Sequence, residues 1–182
     1  MIIMITRLVG HKGVDLIQAV MDDLMSDDLQ LVVIGTGEYQ YEELFRTYAG
    51  NFPAKMSANI VFDNTLAHQA YAGADLVLMP SKQEPCGLTQ LIAMRYGTVP
   101  IVRETGGLFD TVPAYNIETG EGNGFTFKTY NAHDMLDAVR RSEDLFQDKE
   151  HWAALQKSVM NYDCSWKRSV QEYWDIYNSL MD

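Results

Sequence analysis

Leu76-Val77-Leu78-Met79-Pro80-Ser81-Lys82-Gln83-Glu84-Pro85-Cys86-Gly87-Leu88-Thr89-Gln90-Leu91 is the stretch on which the fold turns. Four apolar residues run unbroken into a proline, a polar turn follows, and helical spacing resumes at Thr89. A strand without polar alternation suits a parallel sheet covered on both faces, and strand-turn-helix is its repeating unit. The same unit recurs on either side. The pattern predicts strands at Met1–Thr6, Leu31–Ile34, Ile60–Phe62, Leu76–Met79, Val99–Val102 and Phe125–Phe127. Helices are predicted at Val14–Leu24, Glu38–Ala49, Ala67–Ala72 and Thr89–Tyr96, then, past Asn131, at His133–Leu145, Trp152–Tyr162 and Trp166–Leu180. This is a doubly wound, Rossmann-like α/β pattern with a helical C-terminal segment. The Rossmann-like core is placed at about residues 1–148 and the closing helices at 149–182 of a single domain.

Totals narrow the function. A chain of 182 residues, 47% hydrophobic, supports one ordinary core. A formal charge of −11 repels nucleic acid and anionic lipid, so neither is expected as a partner. The apolar opening Met1–Ile5 ends at Arg7, too short for a signal core or a span. Cys86 and Cys164 lack metal-ligand spacing, and the four histidines are scattered, so no metal is expected and reduced thiols point to the cytoplasm. An apolar strand starting at residue 1 leads us to expect a truncated chain.

Turn signals follow the predicted strands at Gly35-Thr36-Gly37, Pro80-Ser81 and Thr105-Gly106-Gly107. Ligands of open parallel sheets sit outside the carboxyl ends of the strands, so these turns should share one edge. In the turn after Met79, Glu84 can accept hydrogen bonds from two neighbouring sugar hydroxyls, and Gly87 permits close backbone approach. The N–H groups near Gly87, Leu88 and Thr89 suit phosphate or hydroxyl oxygens. A bland reading, a solvated acid in a plain turn, fits the same residues. Arg7 and Lys12 flank the loop after the first strand and can converge on one anion; as separate surface cations they would do nothing in common. Phe62 either packs in the core or offers a ring face to a nucleobase. Cys86, beside a helix start, has no histidine placed to activate it.

Glu84-Pro85-Cys86-Gly87-Leu88, continued by Tyr96-Gly97-Thr98-Val99-Pro100 and Thr105-Gly106-Gly107-Leu108, resembles the donor-site signature of bacterial glycogen synthases and plant starch synthases. Arg7-Leu8-x-x-x-Lys12-Gly13 is similar to the element that binds the distal phosphates in that family. Ile60–Asn64, Leu66-Ala67-His68 and Tyr71–Asp75 form a third match, and Ser165-Trp166-x-x-Ser169 with Tyr173 and Tyr177 a fourth. The likeness spans Ile5 to the C-terminus. It corresponds to the C-terminal half of a two-domain glycosyltransferase of the B type, without the N-terminal domain that supplies a Lys-x-Gly-Gly-Leu loop, a catalytic His and the glucan surface. His11 stands where relatives more often have Gln. Ile92 stands where many retaining relatives carry a second Glu, a departure the glycogen synthase branch shares.

The resemblance implies transfer of glucose from ADP-glucose to an α-1,4-glucan with retention, no cofactor or metal being needed. Arg7 and Lys12 would stabilise the departing diphosphate, Glu84 orient glucose, Phe62 stack on adenine, and the small side chain and backbone of Cys86 shape the sugar pocket. Two alternatives stay open: a module that binds ADP or ADP-glucose without transfer, and a sugar-nucleotide epimerase, for which the sequence offers no assignable acid and base. The last helix should cross to the absent domain, leaving Trp166, Tyr173, Trp174 and Tyr177 as an apolar stripe, with self-association or a mobile helix as the expected result.

Overall fold

The computed structural model describes residues 1–181, with Arg168 described by its backbone alone. Six strands form one parallel sheet: β1 (Ile2–Ile5), β2 (Leu31–Ile34), β3 (Met56–Asn59), β4 (Leu76–Met79), β5 (Val99–Arg103) and β6 (Phe125–Phe127). Their order is β3-β2-β1-β4-β5-β6, so the chain reverses direction across the sheet between β1 and β4. Ile2 faces Leu31 on one side and Leu76 on the other, which makes β1 the central strand.

Alternate residues of the strands serve opposite faces. Ile2 and Met4 join the larger apolar cluster with Val33, Leu78 and Ile101, whereas Ile3 and Val77 join a smaller one with Tyr71 and Ala93. The larger cluster is covered by α1 (Val14–Ala19), α2 (Met21–Ser26), α3 (Tyr39–Asn51), α7 (Ala132–Gln147) and α8 (Lys149–Met160). The smaller is covered by α4 (Asn64–Gly73) and α5 (Thr89–Arg95), and α6 (Gly107–Thr111) packs Leu108 on Val102. Burying each Ile or Val of these strands contributes about 1.5–3 kcal/mol, which is why continuous apolar runs select the two-sided sheet.

The doubly wound fold stands as read, with two local corrections. The strand expected at Ile60–Phe62 lies instead at Met56–Asn59, in register with β2. As an edge strand, β3 needs little apolar surface, and its Met-Ser-Ala-Asn sequence conceals it. Ile60–Phe62 lies beyond its end, where Val61 N–H turns back onto the Asn59 carbonyl at 2.9 Å. The Asp63 carboxylate then caps α4, accepting from Leu66 N–H at 3.0 Å. The single helix expected at Val14–Leu24 is broken at buried Val20, whose φ of −125° and ψ of 23° are not helical. Branching at Cβ makes valine a poorer helix former than its neighbours. The five-residue α6 and a 3₁₀ turn at Gly10–Lys12 are additional.

α9 (Trp166–Ser179) exposes Trp166, Val170, Tyr173, Trp174, Ile176 and Tyr177, with Trp166 80% exposed. Among the described residues, no helix is long and apolar enough to cross a membrane.

At the N-terminal end of the sheet, half-buried Glu143 has an Oε1 with no hydrogen-bond partner among the described residues. Burial raises its carboxyl above the usual range, reinforced by the charge of Asp27 and opposed by Arg140. A carboxyl raised by folding contributes stability below its unfolded pKa, lost as pH rises through the folded value. Glu143→Gln is therefore expected to melt higher than the parent at neutral pH. The difference should shrink as the pH is lowered and the Glu143 carboxyl takes up its proton.

Candidate donor site at the switch point

The crevice outside β1 and β4 is the topological switch of this sheet, the place where such folds hold ligands. The loop after β1 leads through Arg7 to the turn at Gly10–Lys12 and Gly13, whose φ is 78°. A Cβ on Gly13 would lie 2.1 Å from the Pro80 carbonyl oxygen, so only glycine lets this loop pack on the loop after β4. Lys82 N–H donates to the His11 carbonyl at 2.9 Å and joins the two loops.

That junction brings Lys12 to Glu84. The Lys12 ammonium donates to Glu84 Oε2 at 2.6 Å, with the two side chains only 16% and 11% exposed. Ser81 Oγ donates to the same oxygen at 3.2 Å. No donor reaches Oε1 among the described residues, so one carboxylate oxygen is held and the other can receive a hydroxyl. A cavity of about 70 Å³ is lined here by Lys12, Ser81, Glu84, Gly87, Leu88 and Thr89. A second, of about 210 Å³, is lined by Arg7, Gly35, Thr36, Phe62 and Asn64, among others, and shares Ile5 and Thr6 with the first.

The structure thus gathers Lys12, Glu84, Gly87, Leu88 and Thr89 around one cavity and sets Arg7 and Phe62 on the next. Phe62 is 85% exposed, which excludes the core reading and leaves its ring face open. The Arg7 guanidinium stands 3.5 Å from His11 Nε2. Cys86 is outside the lining of these two cavities, and its thiol is exposed. In the turn the Cys86 carbonyl accepts from the Gln90 amide at 3.1 Å. Of the flanking residues, His68 packs with Tyr96, its Nδ1 2.9 Å from the hydroxyl.

Sequence reading missed the groups that hold these loops. Arg103, at the end of β5, donates through Nε to the Ser81 carbonyl at 2.9 Å and through Nη2 to that of Lys82 at 2.5 Å. Tyr130 donates to Asp15 at 2.5 Å, and Arg103 and Lys82 both lie over its ring. Burial, then the hydrogen bond to Asp15, push the Tyr130 hydroxyl far above its ordinary pKa, so it remains a donor. The one available signal was position: Arg103 closes an apolar strand at the ligand edge. Gly106 and Gly107 pack directly on the Glu84 turn, with Gly107 N–H donating to the Glu84 carbonyl at 3.1 Å.

Comparison with known proteins agrees with this geometry. Residues 1–158 match the family model described as glycosyl transferases group 1. The chain is 53% identical over 178 residues to the glycogen synthase of Clostridioides difficile, covering 98% of this chain and 37% of that protein. It is 52% identical over 182 residues to that of Clostridium acetobutylicum, covering all of this chain and 38% of the relative. The catalytic domain of starch synthase IV from Arabidopsis thaliana, bound to ADP and acarbose, superposes with a TM-score of 0.86 at 36% identity, over 98% of this chain and 38% of that one. The chain therefore spans little more than a third of the length of these relatives. With a parallel sheet, a charged crevice at its switch point and this likeness across nearly the whole length, the chain belongs to the group 1 glycosyl transferases.

Proposed function

We propose that this chain is the nucleotide-sugar-binding half of a cytoplasmic retaining glucosyltransferase that extends α-1,4-glucan from ADP-glucose. The observation carrying the proposal is the contact of Lys12 with Glu84 at the switch point, with Arg7 and exposed Phe62 on the adjoining cavity. Phe62 stacks on the base. Arg7 and Lys12 neutralise the diphosphate and stabilise the charge that grows on it as the glycosidic bond breaks, usually the largest catalytic contribution. Glu84 orients glucose through its hydroxyls, and the N–H groups of Gly87 to Thr89 complete the site. Glycogen synthase relatives and the ADP- and acarbose-bound starch synthase neighbour support this choice of donor and acceptor.

The 182-residue polypeptide itself is a binding module without transferase activity. Transfer needs a second wall to orient the acceptor and exclude water, and a further domain supplies it. The exposed aromatic stripe of α9 supports such a partner surface; without it the helix drives self-association. Calorimetric titration with ADP and ADP-glucose should show saturable binding, whereas incubation with ADP-glucose and glycogen should give no elongation. Elongation would refute the module reading, and absence of ADP binding would refute the site.

Replacing Phe62 tests the base. Stacking on an aromatic ring contributes about 1–3 kcal/mol per base, so Phe62→Ala should weaken ADP binding roughly tenfold. Because the ring is 85% exposed, the melting temperature should not change. Equal ADP affinity in the two proteins would place the base elsewhere.

A further inference from the structure

Gln90 is fully buried in the first turn of α5, where a polar side chain is costly unless it is used. Its amide nitrogen donates to the Cys86 carbonyl at 3.1 Å, the Gly87 carbonyl at 2.9 Å and Thr111 Oγ1 at 3.1 Å. Thr111 in turn donates to the Gly107 carbonyl at 2.5 Å, which ties α6 to the same bracket. Gln90 Oε1 is buried with no hydrogen-bond partner among the described residues. It lies against Gly87, where an added Cβ would meet it at 2.5 Å, and the φ of 74° already requires glycine.

In a trans peptide the C=O and the following N–H point in opposite directions. With the carbonyls of Cys86 and Gly87 drawn to Gln90, the N–H groups of Gly87 and Leu88 are turned the other way. Both residues line the 70 Å³ cavity beside Glu84 and Lys12. Neither N–H has a protein acceptor among the described residues. An apolar side chain of similar volume at position 90 would fill the space and leave both peptides free to rotate.

We propose that Gln90 is a positioning residue: its buried amide sets the two peptides of the Cys86-Gly87-Leu88 turn so that their N–H groups face the distal phosphate of the donor. The inference rests on the donor-site reading above. The hydrogen bonds of its amide nitrogen offset the cost of the stranded oxygen, and what they impose on the turn is its use. Gln90 touches no ligand and acts only through the backbone of the turn.

Titrating ADP and AMP separates positioning from general damage, because AMP carries the base and one phosphate but no distal phosphate. The parent should prefer ADP over AMP. In Gln90→Met, close to Gln in volume, the preference should fall about tenfold while AMP affinity and the folded circular dichroism spectrum stay as in the parent. Thr111→Val removes one acceptor of the bracket and is the milder probe should Gln90→Met fail to fold. It should reduce the preference about threefold. A folded Gln90→Met with the parent's preference overturns the proposal and leaves the donor site standing, and so does an unchanged Thr111→Val where Gln90→Met cannot fold. Equal loss of ADP and AMP binding also overturns it. A parent that binds no ADP refutes the donor-site reading, and this inference with it.

Discussion

Arg7→Ala/Lys12→Ala is expected to weaken ADP binding by about 100-fold or more. Hydrogen bonds from charged donors contribute about 1.5–3 kcal/mol each, and two such contacts correspond to roughly two to four orders of magnitude in affinity. The remaining Glu84 carboxylate aggravates the loss, because Lys12 is its ion-pair partner at 2.6 Å. Removing the ammonium leaves a largely buried carboxylate facing an anionic ligand. Ionic strength supplies a second readout. In the parent, added salt should weaken ADP binding by screening, in Phe62→Ala it should do so to the same degree, and in the double variant the dependence should nearly vanish. A double variant that binds ADP as tightly as the parent would remove the phosphate assignment.

The same variant bears on folding. One partner of a largely buried pair is lost, which costs about 2 kcal/mol and is measurable by urea unfolding. Adding Glu84→Gln should recover most of that stability and none of the ADP affinity. Stability and binding thus separate at one contact.

Gly106→Ala is expected to damage both the fold and the acidic turn. Gly106 has a φ of 47° and a ψ of −133°, a conformation that L side chains rarely adopt. Its added Cβ would lie 2.2 Å from the Glu84 carbonyl oxygen, and backbone cannot yield there without moving the acidic turn. Strain and displacement together should cost about 3 kcal/mol or more. For a chain of this size that lowers the melting temperature by roughly 6–12 °C. On the proposed role of Glu84 in orienting glucose, ADP-glucose binding should suffer more than ADP binding. Gly120→Ala is the control. Its φ of 71° is also positive, yet nothing among the described residues lies within 4 Å of the added Cβ. It should cost about 1 kcal/mol and leave binding intact. If both variants melt alike, close packing of Gly106 on the turn is not what holds Glu84.

Much of this architecture was legible because its decisive elements are central. β1, β4 and β5 are covered on both faces, so their sequences had to be continuously apolar, and their limits agree with the structure to within a residue or so. β3 is an edge strand and escaped that rule; its Met-Ser-Ala-Asn carries no run, while Ile60–Phe62 supplied a false one beside it. The glycine turns were legible as turns. Which carbonyl each of them must pass was not, since the Pro80 oxygen against Gly13 and the Glu84 oxygen against Gly106 belong to distant parts of the chain.

From sequence alone came the period and continuity of the apolar runs, the order of strand, turn and helix, and the residue types able to hold a sugar diphosphate. These are local properties, set by which side chains can be buried and which backbone angles a residue permits. Tertiary structure alone decided that β1 and β4 are neighbours although 70 residues separate Ile5 from Leu76, because strand pairing depends on where each crossover returns. It decided too that Lys12 and Glu84 meet, that Phe62 and the Cys86 thiol are exposed, and that Gln90 and Arg103 hold the loops. Each of these depends on distances between residues far apart in the chain, which no local pattern encodes.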